Sequence, residues 1–543
     1  FVRKLHNMKK PPFYITTPIY YVNDSPHIGH AYTTIACDVM ARFMRLDGHE
    51  VKFLTGTDEH GQKVDKAAKA AGRDPQEFTD EVSKRFRNLV ATGDNLLNVT
   101  NDDFIRTTES RHKKAAQALW KLMEENGQIY KAKYGGWYAV RDEAYYQEGE
   151  LVEKDGKKVA PTGAEVEWIE EESYFFKLSE WQNKLLEFYE ANPGFVVPES
   201  RYNEIKSFVK GGLKDLSISR TTFDWGIQVP DDEKHVMYVW IDALTNYLTA
   251  VGFPDTNSDE YKKFWQSGCA THVVGKDIIR FHAVYWPAFL MAANLPLPKS
   301  IVAHGWWTIE GEKMSKSLGN VISPQELIDA YGLDQTRYFL MRAIPFGNDG
   351  DFSRKQLVET VNADLANNIG NLAQRTLTLI QKNCEGKIPT HRDFQDEPKD
   401  DNEKQDFDLM VAAYALGLKD STIRDNMHNQ QFHKAIENII AVSVRANEYI
   451  NNQAPWKLAK ENPERMKTVL YVIAEAIRCI GIALQPFMPI AAAKILDLLC
   501  VNQEHRRFAN ISADSALKPS TVLPVPSGVF PRLEGKENEE KRA

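Results

Sequence analysis

Cysteine is scarce in this chain and is not arranged for a metal site or a disulfide framework. Five cysteines occur among 543 residues, and no two of them form a Cys-x-x-Cys pair. They lie far apart, at Cys37, Cys269, Cys384, Cys479 and Cys500. An odd number of isolated cysteines argues against a disulfide framework and a cysteine zinc knuckle, and it favours a reducing compartment.

Long apolar runs and excess positive charge are also missing. A membrane span needs about 18 uninterrupted apolar residues, and the longest stretches here, 472–480 and 490–499, are each broken by charges. The charged residues are Glu475, Arg478, Lys494 and Asp497. No membrane association is therefore expected.

The net charge is −8, whereas tight nonspecific nucleic-acid binders are usually basic, so any RNA would need a local basic surface.

The first residues leave two interpretations open. Residue 1 is Phe, and no apolar signal-peptide core accompanies the basic residues Arg3, Lys4, Lys9 and Lys10. They are either what is left of a trimmed organelle transit peptide or part of an incomplete bacterial sequence that begins at Met8. We expect a cytoplasmic protein, with the mitochondrial matrix or another organelle as the alternative, and no secretion.

A short motif near the start predicts a phosphate site. His27-Ile28-Gly29-His30 follows an apolar, aromatic run that ends at Tyr21. It precedes a helical pattern formed by Ile35, Val39, Met40, Phe43 and Leu46. The order is strand, turn and helix start, where backbone donors and a glycine suit an anionic phosphate. Two histidines three residues apart can both face that phosphate, although such a pair alone is more often a surface pair or a metal fragment.

A second motif supplies positive charge. Lys313-Met314-Ser315-Lys316-Ser317 lies between Gly311 and Gly319. Two lysines on a flexible loop can bring charge over a polyphosphate. With the first motif, it predicts a nucleotide site built from both halves of one fold.

The two motifs, in this order, resemble the signature of class I aminoacyl-tRNA synthetases. Four further segments are similar to methionyl-tRNA synthetases, a resemblance that covers about residues 12–500. These segments are residues 13–21 (FYITTPIYY), 53–62 (FLTGTDEHGQ), 238–243 (YVWIDA) and 275–286 (GKDIIRFHAVYW).

The pattern of strands and helices predicts several domains. At 543 residues and 43% hydrophobic content the chain is too long for one core. Alternating strands and helices predict an α/β fold: a split Rossmann-like parallel sheet with an inserted small α+β domain, followed by an α-helical bundle. The expected limits are 12–118 and 231–345 for the two catalytic halves, 119–230 for the insertion, 346–365 for a linker, 366–500 for an α-helical anticodon-binding domain and 501–543 for a polar, irregular tail. An acidic break at 393–403 is expected to be a solvated loop.

The resemblance implies ATP-dependent attachment of L-methionine to tRNA(Met) through a methionyl-adenylate, with Mg²⁺ accompanying ATP. Both reacting groups are anionic, so positioning and positive charge matter more than a covalent nucleophile. It implies catalytic roles for His27, His30, Lys313 and Lys316, with the larger share for Lys316. It implies ATP contacts from His27, Gly29, His30, Gly275, Asp277 and Lys316. On local sequence alone, Asp277 could equally be a helix N-cap before Ile278.

The resemblance also implies a methionine pocket. Its residues are Ile19, Tyr21, Asp58, Trp240, Ala243, Leu244, Tyr247, Phe281 and His282. Aromatic edges suit a thioether, and Asp58 would hold the substrate ammonium. Without the motifs, these aromatics would be read as ordinary core. Leu244 stands where some members have proline, which leaves the shape of the pocket open.

No structural zinc is expected. Many methionyl enzymes carry cysteine knuckles after a Gly-Trp-Tyr segment. Here Gly136-Trp137-Tyr138 leads to Ala139-Val140-Arg141-Asp142, so both ligand positions lack cysteine. The insertion should instead fold on its aromatics, which are Trp137, Tyr138, Tyr145 and Tyr146.

A polar stripe in the helical part matches the family's anticodon readers. Asn367, Asn371 and Arg375 recur every four residues, and an apolar set lies on another face. That set is Val361, Leu365, Ile369 and Leu372. Trp456, after Pro455 in a first helical turn, could stack on a splayed base. A solvated helix face and a core tryptophan are the alternatives. We expect a monomer, since no appended C-terminal tRNA-binding or dimerisation domain is seen.

Three other functions can be weighed against the sequence. A synthetase for a bulky aliphatic amino acid would need a larger editing domain than 119–230 allows. A small-molecule nucleotidylyltransferase could use His27 and His30 but would not explain the helical tail. A nonenzymatic tRNA-binding protein would need that tail but not Lys316.

Overall fold

The computed structural model describes residues 10–22, 25–90, 95–154, 156–314, 319–391 and 398–534. The chain divides into two compact units. The first comprises Phe1–Cys37 and Glu50–Gly305, and the second comprises Asp38–His49 and Trp306–Ala543.

The first unit alternates strands and helices. Its strands are β1 (Phe13–Thr16), β2 (Tyr20–Tyr21), β3 (Val51–Asp58), β4 (Asp103–Arg106), β5 (Ile129–Ala139), β6 (Ala144–Tyr146), β7 (Val152–Lys154), β8 (Lys157–Val159), β9 (Glu167–Phe176), β10 (Val196–Val197), β11 (Leu216–Ser217), β12 (Ser219–Arg220), β13 (Gln228–Val229), β14 (Asp232–Met237), β15 (Ala270–Gly275) and β16 (Ser300–His304). Its helices are α1 (Ile28–Leu46, whose residues from Asp38 on belong to the second unit), α2 (Gln62–Ala70), α3 (Pro75–Val90), α4 (Ser110–Glu125), α5 (Gln182–Ala191), α6 (Glu199–Lys210), α7 (Val239–Thr249), α8 (Asp259–Tyr261) and α9 (Trp286–Ala292). Single 3-10 turns cover Glu148–Glu150, Leu178–Trp181 and Lys276–Ile278, and π-helical turns cover Lys262–Gln266 and Phe281–Tyr285.

A parallel sheet forms the centre of this unit. The strand order is β10-β16-β15-β1-β3-β2, and β4 also pairs with β3. Every pairing in it is parallel. All four residues of β1 are buried, as expected for a strand covered on both faces. Ligands of such sheets bind beyond the carboxyl ends of the strands, which here are Thr16, Asp58, Gly275 and His304. The predicted α/β fold class is confirmed.

The core of the first unit is aromatic. Trp120 of α4, Trp265 of the first π-helical turn and Trp286 of α9 are fully buried in one cluster with Tyr14 of β1. The apolar face predicted for α1 is also observed, since Ile35, Val39, Met40 and Phe43 are buried, and Leu46 is half-buried.

The insertion carries a separate antiparallel sheet in the order β11-β9-β5-β6. The ring centroids of Tyr138 and Tyr145 lie 4.8 Å apart, and those of Trp137 and Trp168 lie 5.4 Å apart. Smaller antiparallel groups are β12-β14-β13 and the hairpin β7-β8.

The second unit is mostly helical. Its helices are α10 (Pro324–Tyr331), α11 (Leu333–Arg342), α12 (Arg354–Val361), α13 (Asn371–Asn383), α14 (Asp401–Ala415), α15 (Thr422–His428), α16 (Phe432–Gln453), α17 (Pro455–Glu461), α18 (Pro463–Leu484) and α19 (Pro489–Leu498). Its strands are β17 (Trp307–Ile309), β18 (Glu312–Lys313) and β19 (Gly350–Phe352), in the order β18-β17-β19. Among the described helices, none is long and apolar enough to cross a bilayer.

The tail beyond Val501 is irregular over its described residues, 502–534, and it is anchored. Single 3-10 turns cover Gln503–His505, Phe508–Asn510 and Ala513–Ser515. The buried pair Glu475 and Arg478 of α18 binds it: a Glu475 carboxylate oxygen accepts from Leu517 N–H at 3.0 Å, and Arg478 donates to the Asn510 carbonyl at 2.7 Å. Phe508 is fully buried. Hydrogen bonds from a buried ion pair and one buried aromatic ring thus hold a tail whose overall composition is polar.

The structure corrects several boundaries. The apolar run that ends at Tyr21 is not a single strand: β1 ends at Thr16, and Tyr20–Tyr21 forms the separate short strand β2. Helix α1 begins at Ile28, inside the motif rather than after His30. The acidic segment 393–403 is not all loop: residues 393–397 lie outside the described ranges, and α14 begins at Asp401 because the Asp400 carboxylate caps it by accepting from Glu403 N–H.

Candidate functional site

The His-x-x-His turn is held by its own backbone. Nδ1 of His27 accepts from Gly29 N–H at 3.0 Å, and Nδ1 of His30 accepts from His27 N–H at 3.1 Å. The ring centroids are 3.9 Å apart. A Cβ on Gly29 would lie 2.9 Å from the His27 ring, so only glycine permits this packing. The structure therefore brings together the predicted pair and its glycine.

These contacts define the tautomer of both rings. Because Nδ1 accepts a hydrogen bond in each, Nε2 carries the hydrogen. His30 also packs edge-on against Tyr20 and Phe86. Burial, with His27 beside it, holds the pKa of His30 well below its usual range. Both rings are thus set to donate from Nε2, and His30 does so as a neutral ring.

The carboxyl ends of β15 and β16 carry two further polar groups. Asp277 is exposed in the turn Lys276–Ile278, whose N-cap is Gly275, so Asp277 is not itself the N-cap. A Cβ on Gly275 would lie 2.5 Å from Oδ1 of Asp277, which shows how closely the carboxylate approaches the backbone. His304, at the end of β16, lies 2.8 Å from the Thr33 hydroxyl of α1.

Four of the predicted methionine-pocket side chains lie against one another. The rings of Trp240 and Phe281 stack with centroids 3.7 Å apart and planes 7° apart. His282 meets Trp240 edge-on at 6.0 Å and lies 2.7 Å from the hydroxyl of Tyr247. Ala243 and Leu244 are buried on α7 with Trp240 and Tyr247, and Ile19 packs half-buried against the same core. The helix is continuous through Leu244.

A buried carboxylate with one unpaired oxygen atom lies at the end of β3. Asp58 is buried, and its Oδ1 has no hydrogen-bond partner among the described residues. Burial and the nearby charges of Asp242 and Glu143 raise its pKa well above the usual range. Tyr21 is its register partner on β2. An ammonium group would satisfy this carboxylate and remove the penalty of its burial.

A buried chain of three residues connects β3 to α7. Oδ2 of Asp242 lies 2.6 Å from Nδ1 of His60, and Oδ1 lies 2.8 Å from Nε2 of His112. These contacts lower the pKa of Asp242 to about 2 despite its burial. Asp242 follows Trp240 by two residues, and His60 follows Asp58 by two. These hydrogen bonds therefore connect the helix that carries Trp240 to the segment that carries Asp58.

In the second unit, the predicted polar stripe is on the surface. Asn367 and Asn371 are exposed and Arg375 is half-buried, while the four predicted apolar residues are buried. The Arg375 guanidinium lies 5.3 Å from the centre of the Trp456 ring, which is 42% exposed. Arg375 also donates to Asn451 at 3.2 Å. The stripe passes through a π-helical segment, Asn362–Gly370, which the four-residue spacing does not predict.

The comparisons with known proteins agree along the whole chain. Residues 13–377 match the family model for class I tRNA synthetases (M), and residues 405–543 match the anticodon binding domain of methionyl tRNA ligase. A methionine–tRNA ligase of Rickettsia bellii is 56% identical over 522 residues, which is 96% of this chain and 99% of the relative. This chain belongs to the methionyl-tRNA synthetase family. It is therefore a class I enzyme that uses ATP to attach methionine to tRNA through methionyl-adenylate.

Other methionyl-tRNA synthetases resemble the chain equally broadly. The methionine–tRNA ligase of Brucella suis is 56% identical over 97% of this chain and 98% of its own length. The Mycobacterium tuberculosis synthetase in complex with methionyl-adenylate matches with a TM-score of 0.91 and 48% identity, covering 96% of this chain and all of that one. The apo form of the same enzyme gives a TM-score of 0.84 and 45% identity.

The two lysines of the second motif differ in what the structure describes of them. Lys316 lies outside the described residues, and for Lys313 only the backbone is described, paired with Thr308 in β18 and β17. Ala139 and Asp142 occupy the expected knuckle positions. Among the described residues, no group of three or more His, Cys, Asp or Glu side chains could hold a metal ion.

Three parts of the site were not predicted from the sequence. Glu143 accepts from Tyr21, His304 contacts Thr33, and Asp242 holds His60 and His112. His60 and Asp242 lie within the quoted segments 53–62 and 238–243, so a search for buried His and Asp partners between motifs could have found them. Glu143 and His304 lie outside any quoted segment, and no local signal marks them.

Proposed function

We propose that the carboxyl edge of the parallel sheet is the methionine-activation site, and the partnerless Asp58 oxygen is the observation that carries this assignment. Asp58 binds the substrate ammonium, which supplies the missing hydrogen bond and a compensating charge. The thioether lies against the stacked rings of Trp240 and Phe281. The other members of the pocket are Ile19, Tyr21, Ala243, Leu244, Tyr247 and His282. The paired Tyr247 and His282 add a hydrogen-bonded polar group to the pocket wall.

ATP binds at the His-x-x-His turn. His27 and His30 donate from Nε2 to phosphate oxygens, and Gly29 permits close approach of the chain at the helix start. Gly275 and the exposed Asp277 bind the ribose. Mg²⁺ accompanies ATP, since Mg²⁺ in nucleotide sites takes most of its oxygen ligands from phosphates and water.

For the reaction itself, the protein must supply positive charge rather than a nucleophile. The methionine carboxylate attacks the α-phosphate, and negative charge moves to the departing pyrophosphate. Lys313 and Lys316 stabilise that charge, with the larger share from Lys316. The aminoacyl group then passes to the 3′ end of tRNA.

The helical part recognises tRNA(Met) at its anticodon. Asn367 and Asn371 offer amides, and Arg375 and Trp456 offer a cation over an exposed ring on which a base can stack. The exposure of Asn367, Asn371 and Trp456, with the half-buried Arg375 over the Trp456 ring, supports the assignment. We assign residues 366–500 to this role and 119–230 to the insertion.

A monomer in a reducing compartment is the form we propose for the active enzyme. The cytoplasm is the first choice and an organelle matrix the alternative, because the five scattered cysteines suit reduced thiols. Sedimentation at working concentration and cell fractionation test the two statements separately.

The decisive experiment is ATP–pyrophosphate exchange with each of the twenty amino acids. Exchange should depend on methionine, and tRNA(Met) should then accept methionine. Preference for a bulky aliphatic amino acid would indicate a different synthetase. Binding of tRNA without exchange would indicate a nonenzymatic tRNA-binding protein.

A further inference from the structure

The insertion reaches into the methionine site through one side chain. Glu143 stands in the turn between β5 and β6, is 1% exposed, and has φ +47, a left-handed conformation that non-glycine residues rarely adopt. Its Oε2 accepts from the Tyr21 hydroxyl at 3.1 Å, and its Oε1 accepts from Lys63 N–H at 2.9 Å. A buried carboxylate in a strained turn is an unusual arrangement for a purely structural residue.

The main chain is shaped to admit this carboxylate. Gly61, with φ +102, precedes α2, and a Cβ there would lie 2.6 Å from Oε1 and 2.7 Å from Oε2 of Glu143. Any other residue at position 61 would displace the Glu143 side chain. The carboxylate also caps the N-terminus of α2 through Lys63 N–H, which by itself would be a structural role.

The surroundings point beyond helix capping. Tyr21 and Asp58 are neighbours across β2 and β3, so one contact joins Glu143 to the carboxylate with the partnerless oxygen. The charge of Glu143 is felt at Asp58, where it disfavours ionisation. Two buried carboxylates of the same sign in one pocket are stabilised by a cation that binds between or beside them.

We propose that Glu143 is a positioning residue of the methionine site: its carboxylate holds the Tyr21 hydroxyl and adds a second negative charge that favours binding of the substrate ammonium at Asp58. This inference rests on the proposed assignment of the methionine site. It gives the insertion a direct part in amino-acid binding, and it makes the affinity for methionine depend on the ionisation of Glu143.

Glu143 changes its ionisation within the pH range in which the enzyme can be assayed. Burial raises the pKa of Glu143 to about 7, against the opposing effect of hydrogen bonds from Lys63 and Tyr21. The titratable or charged groups that face it are Tyr21, Asp58, Lys63, Tyr138, Arg220 and Tyr238. Burial raises the pKa of all three phenols, so they stay neutral. As the pH falls through 7, Glu143 gains a proton, the pocket loses one negative charge, and methionine should bind more weakly.

The test is the KM for methionine in pyrophosphate exchange, measured from pH 6 to pH 8.5 with saturating ATP. Wild-type KM should rise as the pH falls through about 7. Glu143→Gln keeps the size and an oxygen for Lys63 N–H but removes the charge, so its KM at pH 8 should be about tenfold higher with little change in kcat. The dependence of KM on pH near 7 should also be lost from this variant, because Glu143 is the group that titrates there.

A second variant should keep the pH dependence of KM but shift its midpoint. Tyr21→Phe removes a donor that stabilises the ionised Glu143, so the midpoint should rise. The matched control is Glu153→Gln, an exposed carboxylate of the same insertion, which should behave as wild type. Thermal unfolding of each variant monitors the fold.

The outcomes separate the two levels of the argument. If wild-type protein does not activate methionine, the proposed function is wrong. If it does, and Glu143→Gln matches it in KM and in pH midpoint, Glu143 only caps α2 and the inference fails. Should Glu143→Gln not fold, the direction of the Tyr21→Phe midpoint decides, since an unchanged or lowered midpoint contradicts the proposal.

Discussion

The hydroxyl of Tyr247 lies 2.7 Å from Nε2 of His282, and both side chains are buried. Nδ1 of the same ring faces the Ile278 carbonyl at 3.0 Å. Burial lowers the pKa of His282 to about 4, so the ring is neutral at pH 7. Nδ1–H therefore donates to the carbonyl, and Nε2 accepts from the phenol. The pair presents a neutral, hydrogen-bonded wall to the pocket rather than a charge.

Tyr247→Phe should lower both stability and methionine affinity. It leaves a buried ring nitrogen without a partner, which costs about 1–3 kcal/mol. Chemical denaturation should detect this loss in the free energy of unfolding, and pyrophosphate exchange should detect a higher KM for methionine. Tyr130→Phe is the control, since its hydroxyl is on the surface and bonds to Asp215. An unchanged KM would remove Tyr247 from the pocket.

Asp58→Asn should separate binding from stability. The amide does not offer an anionic partner to the ammonium. Methionine binding should therefore weaken by about 2–5 kcal/mol, which is observed as a higher KM for methionine. The unliganded protein should become more stable at pH 8, because burial raises the pKa of Asp58 and the folded state disfavours its ionised form. That gain should shrink as the pH falls and wild-type Asp58 becomes protonated. Loss of stability at pH 8 would contradict this assignment of the buried charge.

How far the sequence predicted the site depends on how local each contact is. The His27 and His30 turn follows from residues close in sequence, and its two rings lie together as the motif predicts. Glu143 and Tyr21 lie 122 positions apart in the sequence, and His60 and Asp242 lie 182 positions apart. Periodicity carries no information about such pairs, because it reports only which face of an element is buried.

Prediction of secondary structure from the sequence is limited in the same way. The strand and helix order of the first unit, the helical second part and the irregular tail were predicted from patterning, because burial imposes periods of two and 3.6 residues. The π-helical segment Asn362–Gly370 was not, since an inserted residue in a turn leaves the apolar spacing nearly intact. Burial of Phe508 in a polar tail also escaped prediction, because single apolar anchors have no period.

Zinc should be dispensable for activation. Ala139 and Asp142 stand at the knuckle positions, and no Cys-x-x-Cys pair exists in the sequence. We expect full methionine-dependent exchange after exhaustive zinc chelation and restoration of Mg²⁺. Elemental analysis of the purified protein is the companion measurement. Stoichiometric, tightly bound zinc would contradict the prediction.

Lys316→Ala should slow adenylate formation while leaving methionine binding nearly intact. The charge of this lysine is needed where negative charge develops, so a loss of about a hundredfold in rate is expected. Single-turnover kinetics give the rate, and equilibrium titration gives the affinity. Lys355→Ala, an exposed lysine of α12, is the control for removal of one positive charge. Weaker methionine binding at an unchanged rate would assign Lys316 a different role.

Trp456→Ala should impair tRNA charging without affecting adenylate formation. The exposed ring lies under the guanidinium of Arg375, and loss of one stacked base costs about 1–3 kcal/mol. Leu418→Ala, an exposed apolar residue of the same unit, is the matched control. Aminoacylation and pyrophosphate exchange, measured side by side, separate the two steps.

Asn371→Ala and Arg375→Ala should in addition relax the discrimination between a methionine anticodon and a mutated one, because base-edge contacts carry selectivity as well as affinity. Equal losses in both assays would mean that these residues support the fold, and the anticodon assignment should then be abandoned.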